Sequence, residues 1–401
     1  MSSDSEFEFD SVVDRLRATV VRPHMGIDEA RQEQFALVDA LQQEMGSDVA
    51  FEEDSGQARD LATVGFGGGG RPHATDRVER ALTRYFDVDQ AVLVHGAGTG
   101  AIRAMLNAAL APGSDVVVHS AHPYKTTTPS MEHMGLRIRQ VDFNNLAELE
   151  ADLAAAIPSG LYLQHVPQQI GDDHEIDHVI EIGRHVGGEA VRILVDDNYA
   201  MFRSRRTGTH MGADASAFSL FKLQAPSPVG CVIGSTEIVD RIRIANSSAG
   251  IQVQGRDAME AIRSLVHVPV ALAIQNEVVE ETAQRINDAI TAGRHPYLRA
   301  AIAAQPGIRC VVLIFDRPIA EEFVRSAWRN GSPSRSVGEE ARYEFLPLFT
   351  YITSTFLKGT PGLERYAIRI NPMRSGPDTI LRILETSLAD EQFRALATQA
   401  A

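Results

Sequence analysis

With 401 residues, 44% of them hydrophobic and 6% aromatic, the chain has material for two or three units at the ~150 residues each that domains average. Its 53 acidic side chains outnumber 38 basic ones for a net charge of −15, a field that repels a phosphate backbone and argues against nucleic acid as a partner. No stretch reaches the ~18 apolar residues of a membrane span, and the acidic opening MSSDSEFEFD lacks a secretory core, so a cytoplasmic protein without a membrane partner is expected.

Residues 1–60 read as a peripheral N-terminal helical segment, with Phe35, Val38, Leu41 and Met45 three or four apart and Gly46 as a stop. GFGGGGRPHAT, from Gly65, reads as a flexible loop. From about residue 75 to 235, helical patterns alternate with the short apolar runs AVLVHG, DVVVHS, GLYLQH, VRILVDD, AFSLFK and GCVIGS. That alternation predicts an α/β domain over 61–285, a mostly parallel sheet sandwiched by helices, with functional residues at the strand ends. Asp257 to Ile290 reads as long helical structure, with Pro269 as the place for a bend. Beyond Pro296, CVVLIFD, YEFLPLFTYITSTF and YAIRINP look like strands without βα units between them, followed by a helix near Asp378–Leu388. A smaller C-terminal α+β domain is therefore expected over 286–401. Cys231 and Cys310 lie far apart and form no metal spacing, so neither a disulfide framework nor a zinc site is expected.

The segment VLVHGAGTGAIRAML, Val92 to Leu106, runs from a strand through glycines 96, 98 and 100 into a helix, an anion site built from backbone N–H groups. Gly96, Gly98 and Ala101 satisfy the dinucleotide pattern G-x-G-x-x-G/A, but the next strand, DVVVHSAH, ends in His119 and Ser120 where a ribose-binding acid belongs. A dinucleotide oxidoreductase is thereby disfavoured. A non-catalytic binding protein on the same scaffold has no feature to support it. Only three lysines occur, Lys125, Lys222 and Lys358, against 35 arginines, so an amine nucleophile has a short list of candidates. Lys222 sits among Phe218, Leu220, Phe221 and Leu223, where desolvation favours the neutral amine that Schiff-base chemistry needs; Lys125 and Lys358 lie in polar patterns that face solvent. Upstream, Asp196 ends the run ILVD, with Tyr199 three residues on.

Taken together, AGTGAI from Ala97, DDNYAMF, and GAD at 212–214 followed by Ser219 and Lys222 resemble three motifs of the fold-type I pyridoxal-phosphate (PLP) enzymes, the aspartate aminotransferase superfamily. The order and spacing agree over roughly residues 60–260. The resemblance implies a homodimer with shared active sites in which Lys222 forms the Schiff base and carries protons to and from an amino-acid Cα. It implies that Asp196, or Asp197 if the strand register slips, pairs with the ring nitrogen, and that Tyr199 donates to the phenolic oxygen. Ala97, Gly98, Thr99 and Ser219 would hold the phosphate. Tyr124 in AHPYKTT, which in shape is similar to the Tyr-x-x-Thr of the Cys/Met-metabolism branch, would stack on the ring, with His122 as the alternative. Arg369 in YAIRINP would grip the substrate carboxylate, with Arg374 as its competitor. The family's P-x-N-P asparagine is replaced in HVPQQIGDD by Gln168 or Gln169, of which Gln169 fits the spacing, and its arginine after the lysine has no counterpart in KLQAPSPVG. The stretch NSSAGIQVQG would reach a neighbouring subunit's site. Amino-group transfer is the first expected reaction; elimination or replacement at Cβ or Cγ is the alternative.

Overall fold

The computed structural model describes residues 7–46, 64–65, 68–121, 123–247 and 250–399. In chain order come helices α1 (Phe9–Ala18) and α2 (Ile27–Met45), the two-residue strands β1 (Val64–Gly65) and β2 (Gly68–Gly69), and helix α3 (His73–Tyr85). An alternating series follows: β3 (Gln90–His95), α4 (Ala97–Ala109), β4 (Asp115–His119), α5 (Thr128–His133), β5 (Arg137–Val141), α6 (Leu146–Ala155), β6 (Gly160–Gln164), α7 (Ile176–Gly187), β7 (Arg192–Asp196), β8 (Ala215–Ser219) and β9 (Val229–Gly234). Then come α8 (Thr236–Ala245), α9 (Gly255–Leu265), α10 (Val268–Thr291), β10 (Leu298–Ala304), β11 (Cys310–Phe315), α11 (Ala320–Arg329), β12 (Leu348–Tyr351), α12 (Leu363–Tyr366), β13 (Ala367–Asn371), α13 (Pro377–Ala389) and α14 (Glu391–Gln399).

Seven strands form one sheet in the order β3-β9-β8-β7-β6-β4-β5. Strands β4 to β8 pair in parallel, and β9 runs antiparallel to both its neighbours. The runs VLV, VVV and ILV are continuous rather than alternating because helices bury both faces. Helix α4 is fixed from one side by Ile102, Met105 and Leu106, spaced as one helical stripe and all buried, each worth roughly 2 kcal/mol of apolar burial. Because β3, β4, β6, β7 and β8 point the same way, their carboxyl ends share an edge, the usual location of a ligand crevice in such sheets.

The second sheet, β10-β11-β13-β12, is antiparallel throughout. Helix α10 serves both units: Val268 and Leu272 pack in the core beneath the large sheet, while Val279, Ala283 and Ile286 belong to the core of the small one. The expected boundary at 285 falls inside this helix. Three local expectations change. Pro269 bends nothing; it occupies the first turn of α10, where its missing N–H costs no hydrogen bond, after α9 has ended. A helix, α11, intervenes between β11 and β12, its apolar stripe Phe323, Val324 and Ala327 buried, and only Leu348–Tyr351 of YEFLPLFTYITSTF is strand. In α2 the buried stripe is Ala30, Leu37, Leu41 and Met45, whereas Phe35 and Val38 are exposed. Of the N-terminal helices, α1 packs Val12 and Leu16 on the small sheet and α2 joins the large-domain core. The expected loop at Gly65 falls partly outside the described residues, since 66–67 are not among them; Val64–Gly65 pairs with Gly68–Gly69.

Candidate active site

At the carboxyl edge of the large sheet, the end of β8 turns sharply into Lys222, whose backbone N–H donates to Ser219 Oγ at 3.2 Å. The Lys222 amine lies over the face of the Tyr199 ring, 3.6 Å from its centroid, and 6.0 Å from that of Tyr124. Burial lowers its pKa from 10.5 to about 8, against the opposing pull of Asp196, Glu339 and Glu340. Tyr199 adopts φ 63°, a left-handed conformation unusual for a side chain of its bulk, and so presents its ring face to the amine. Lys125 and Lys358 are exposed.

Asp196 ends β7 and is buried. It accepts from the Tyr162 hydroxyl at 3.2 Å and, through its other oxygen, from the Asn198 backbone at 2.9 Å and the Asn198 side-chain amide at 2.7 Å. Burial nevertheless pushes its pKa upward, with Lys222 and Asn198 pulling the other way. Asp197 points elsewhere, its two oxygens engaged by His165 Nδ1 at 2.7 Å and the Gly208 N–H at 3.0 Å. Of two consecutive residues at the end of β7, one carboxylate thus faces Lys222 and the other is committed to a hydrogen-bonded loop.

Facing these groups is the start of α4. The Ala97 N–H donates to Pro228 O at 2.8 Å and the Gly100 N–H to Gly96 O at 2.9 Å, whereas the amides of Gly98 and Thr99 find no acceptor among the described residues. Thr99 Oγ1 lies 3.2 Å from Thr126 Oγ1. A Cβ on Gly98 would come within 2.4 Å of Asn198 Oδ1, so only glycine lets the loop approach this side chain. Tyr124 is half-buried and anchored by its backbone N–H to Gln164 Oε1 at 3.1 Å; His122 lies outside the described residues, as do 248–249 of NSSAGIQVQG. The Gln169 backbone N–H caps Asp172 at 3.1 Å, and it is Gln168 that lines a small cavity with Tyr162, Gln164 and His119. His119 beside it accepts the Phe143 N–H on Nδ1 at 3.0 Å and donates from Nε2 to Asp172 at 3.1 Å, which commits both ring nitrogens within the fold.

The small domain contributes Arg369 on β13, ion-paired with Glu339 at 3.0 Å. Arg374 stands apart, 3.9 Å from Glu340. Glu340 accepts from Arg203 at 2.9 Å, Gln275 at 3.0 Å and Asn371 at 3.3 Å, a buried polar knot that joins the β7 loop, α10 and β13. Tyr162, Gln164, Asn198, Arg203, Glu339 and Glu340 were not singled out from the sequence. Asn198 lay within the DDNYAMF match and GEEARY is a charged interruption, but neither carries a spacing signal; Arg203 and Tyr162 have none.

A lysine, a strand-end aspartate and an open helix N-terminus on one sheet edge, with a small domain closing over them, define a PLP-dependent enzyme of fold type I. The model for aminotransferase class I and II matches residues 48–263, and that for the YhfS-like C-terminal domain matches residues 284–384. YhfS of Escherichia coli K12 is 40% identical over 362 residues, 90% of this chain and 96% of the relative. The crystal structure of the pyridoxal-5′-phosphate-dependent YhfS from Escherichia coli superposes with a TM-score of 0.85 at 38% identity, covering 92% of this chain and 99% of that one. Cystathionine gamma synthase from Xanthomonas oryzae pv. oryzae, at 18% identity and TM-score 0.64 over 90% of this chain and 98% of its own, shares the fold. So does a putative cystathionine beta-lyase involved in aluminum resistance from Listeria monocytogenes, with the same identity and TM-score over 95% and 97%. The chain belongs to the aminotransferase class I and II family and, within it, groups with YhfS.

The local chemistry fits the cofactor. Two backbone amides at a helix start lack an acceptor, a buried carboxylate lacks a bonded cation, and Asn198 Oδ1 is buried without a donor among the described residues. A phosphate, a protonated ring nitrogen and a polar ring substituent answer those needs in kind.

Proposed function

We propose that Lys222 holds the cofactor aldehyde and shuttles protons at the α-carbon of an amino-acid substrate, and that the reaction is amino-group transfer to a keto acid. The observation that carries this reading is the partly buried Lys222 amine, held to a pKa of about 8 beside Asp196 and two tyrosines. When bound, PLP supplies an electron sink for the charge that develops on the substrate α-carbon.

Each side chain then has a task. Gly98 and Thr99 offer N–H donors to the phosphate, with Ser219 nearby, while Ala97, its N–H already given to Pro228, shapes the turn. Asp196, rather than Asp197, takes the ring nitrogen, because its partners are hydroxyl and amide donors that hold it as an acceptor without neutralising it. Asn198 and Gln164, in place of Gln169, are the amides at hand. Tyr199 supports the amine with its ring face, and Tyr124 covers the cofactor ring. Arg369 receives the substrate carboxylate, and Arg374 does not. With a pKa of about 8, roughly a tenth of Lys222 is neutral at pH 7, more than ~100-fold the fraction at its ordinary value, which lets it take the Cα proton as a base and return it as an acid.

A second reading, elimination or replacement at Cβ or Cγ, is favoured by Tyr124: burial first, then the nearby Glu339 charge, raises its pKa, so the hydroxyl keeps its proton and serves as an acid toward a leaving group. The homodimer with shared sites and the cytoplasmic location belong to the same proposal. The test is a single turnover of the loaded enzyme with a panel of amino acids. Keto acid released without ammonia supports transfer; keto acid with equimolar ammonia replaces it by elimination.

A further inference from the structure

Arg369 presents an incompletely used donor edge. Nη2 donates to Glu339 Oε1 at 3.0 Å and Nη1 to Pro306 O at 3.3 Å, while Nε is buried with no partner among the described residues. The Nε and Nη2 hydrogens of a guanidinium form a parallel pair that one carboxylate takes with both its oxygens. Glu339 takes one. Its backbone explains the shortfall, because the next residue, Glu340, has φ 70° and a carboxylate fastened by Arg203, Gln275 and Asn371. The chain at Glu339 therefore cannot advance to square its carboxylate on the arginine. Its side chain, 23% exposed, is free to turn away.

We propose that Glu339 is an internal competitor for Arg369: it occupies the guanidinium of the empty enzyme through one hydrogen bond and yields it to a substrate carboxylate that takes two. The inference rests on Arg369 being the carboxylate receptor, as read above. Glu339 then sets the selectivity of the site. A ligand whose carboxylate satisfies both donors replaces the internal pair at little net cost, whereas an amine without a carboxylate leaves Arg369 closed. No backbone movement is required, since the knot around Glu340 stays intact during the exchange.

The test uses the PLP-loaded protein and propanoate, a carboxylate with no amine to react, titrated by calorimetry, with propylamine as the carboxylate-free control. Glu339→Gln keeps the size and removes the charge; the expected result is propanoate binding about tenfold tighter than in the parent, the value of a partly exposed ion pair no longer in competition. Glu339→Ala is expected to move the same way, which separates lost competition from a new amide contact, and propylamine binding is expected to stay unchanged. Arg369→Gln is expected to abolish propanoate binding in both backgrounds, with thermal unfolding confirming folded variants. If Arg369→Gln weakens propanoate while Glu339→Gln leaves it unchanged or weakens it too, the exchange is overturned and the receptor role of Arg369 survives. If Arg369→Gln binds propanoate like the parent, the receptor reading falls and takes the exchange with it.

Discussion

Replacing Lys222 with methionine stabilises the cofactor-free protein, and does so by an amount that depends on pH. The amine has a pKa of about 8 in the fold against an ordinary value of 10.5, so folding with the cation in place costs up to about 3 kcal/mol at ~1.36 kcal/mol for each pKa step. The sign follows from proton counting. Between these two values the unfolded chain binds more protons than the folded one, so stability rises with pH across that window and the penalty is fully present only below it. Methionine keeps the length and the apolar stem without the charge. Chemical unfolding of the cofactor-free parent and Lys222→Met should therefore show a gain of about 3 kcal/mol at pH 7, shrinking to about 1.5 kcal/mol at pH 9.5, while activity of the loaded protein falls at least ~10²-fold. A gain that is the same at both pH values, or none at all, would refute the claim that burial of the amine depresses its basicity, and with it the proton-transfer role built on that claim.

Three further outcomes are expected. Asp196→Asn lowers turnover by about 10² to 10³-fold by removing a fixed charge from the ring-nitrogen position, yet leaves the cofactor-free protein at least as stable in thermal unfolding, because the buried carboxylate is itself disfavoured. Gly98→Ala places a methyl 2.4 Å from Asn198 Oδ1 and so displaces either the loop or the amide; fluorescence titration with PLP should show affinity falling by at least about tenfold, roughly the ~1.4 kcal/mol equivalent of a modest shift. Arg203→Met leaves the buried Glu340 with only the more distant Arg374 as a cation and should cost about 3 kcal/mol in urea unfolding, whereas the double variant Arg203→Met/Glu340→Gln should recover part of that loss.

The large sheet was legible because each of its central strands is an apolar run buried on both faces and bounded by glycine, proline or polar residues. Five of the seven strands, β3, β4, β6, β7 and β9, coincide with quoted runs, and AFSLFK overlaps β8 at Ala217–Ser219 before running into the Lys222 turn. The seventh, β5, is the edge strand Arg-Ile-Arg-Gln-Val, half-exposed and polar enough to read as loop. Helix α11 was missed for the opposite reason: a ten-residue amphipathic helix between two strands leaves only three or four apolar residues in view, and the strand signal on either side dominates. In α2 the helical period was right and the face wrong, since the small buried Ala30, which packs with Ala273 of α10, was given no weight, leaving Phe35 and Val38 outward.

What the sequence could hold of the site was the part that sits on strand ends. Lys222, Asp196, Ser219 and the Gly98–Thr99 turn are each fixed by the last residue of a strand or the first turn of a helix, so their spacing in the chain reflects their spacing along one sheet edge. The groups that tune them arrive from elsewhere: Tyr162 from the neighbouring strand, Glu339 and Glu340 from a loop of the other domain, Gln275 from the middle of α10. Their placement depends on which strand pairs with which and on how two cores share one helix, and neither is encoded in local periodicity. The choice between Asp196 and Asp197 shows the division. Asp196 is the last residue of β7 and Asp197 the first beyond it, and which one faces the lysine is decided by Tyr162 on one side and by His165 and Gly208 on the other, contacts that exist only once β6 and the 208 loop are in place. The aspartate left facing Lys222 is held by neutral donors alone, which is the condition under which a bound cation at that oxygen gains the most.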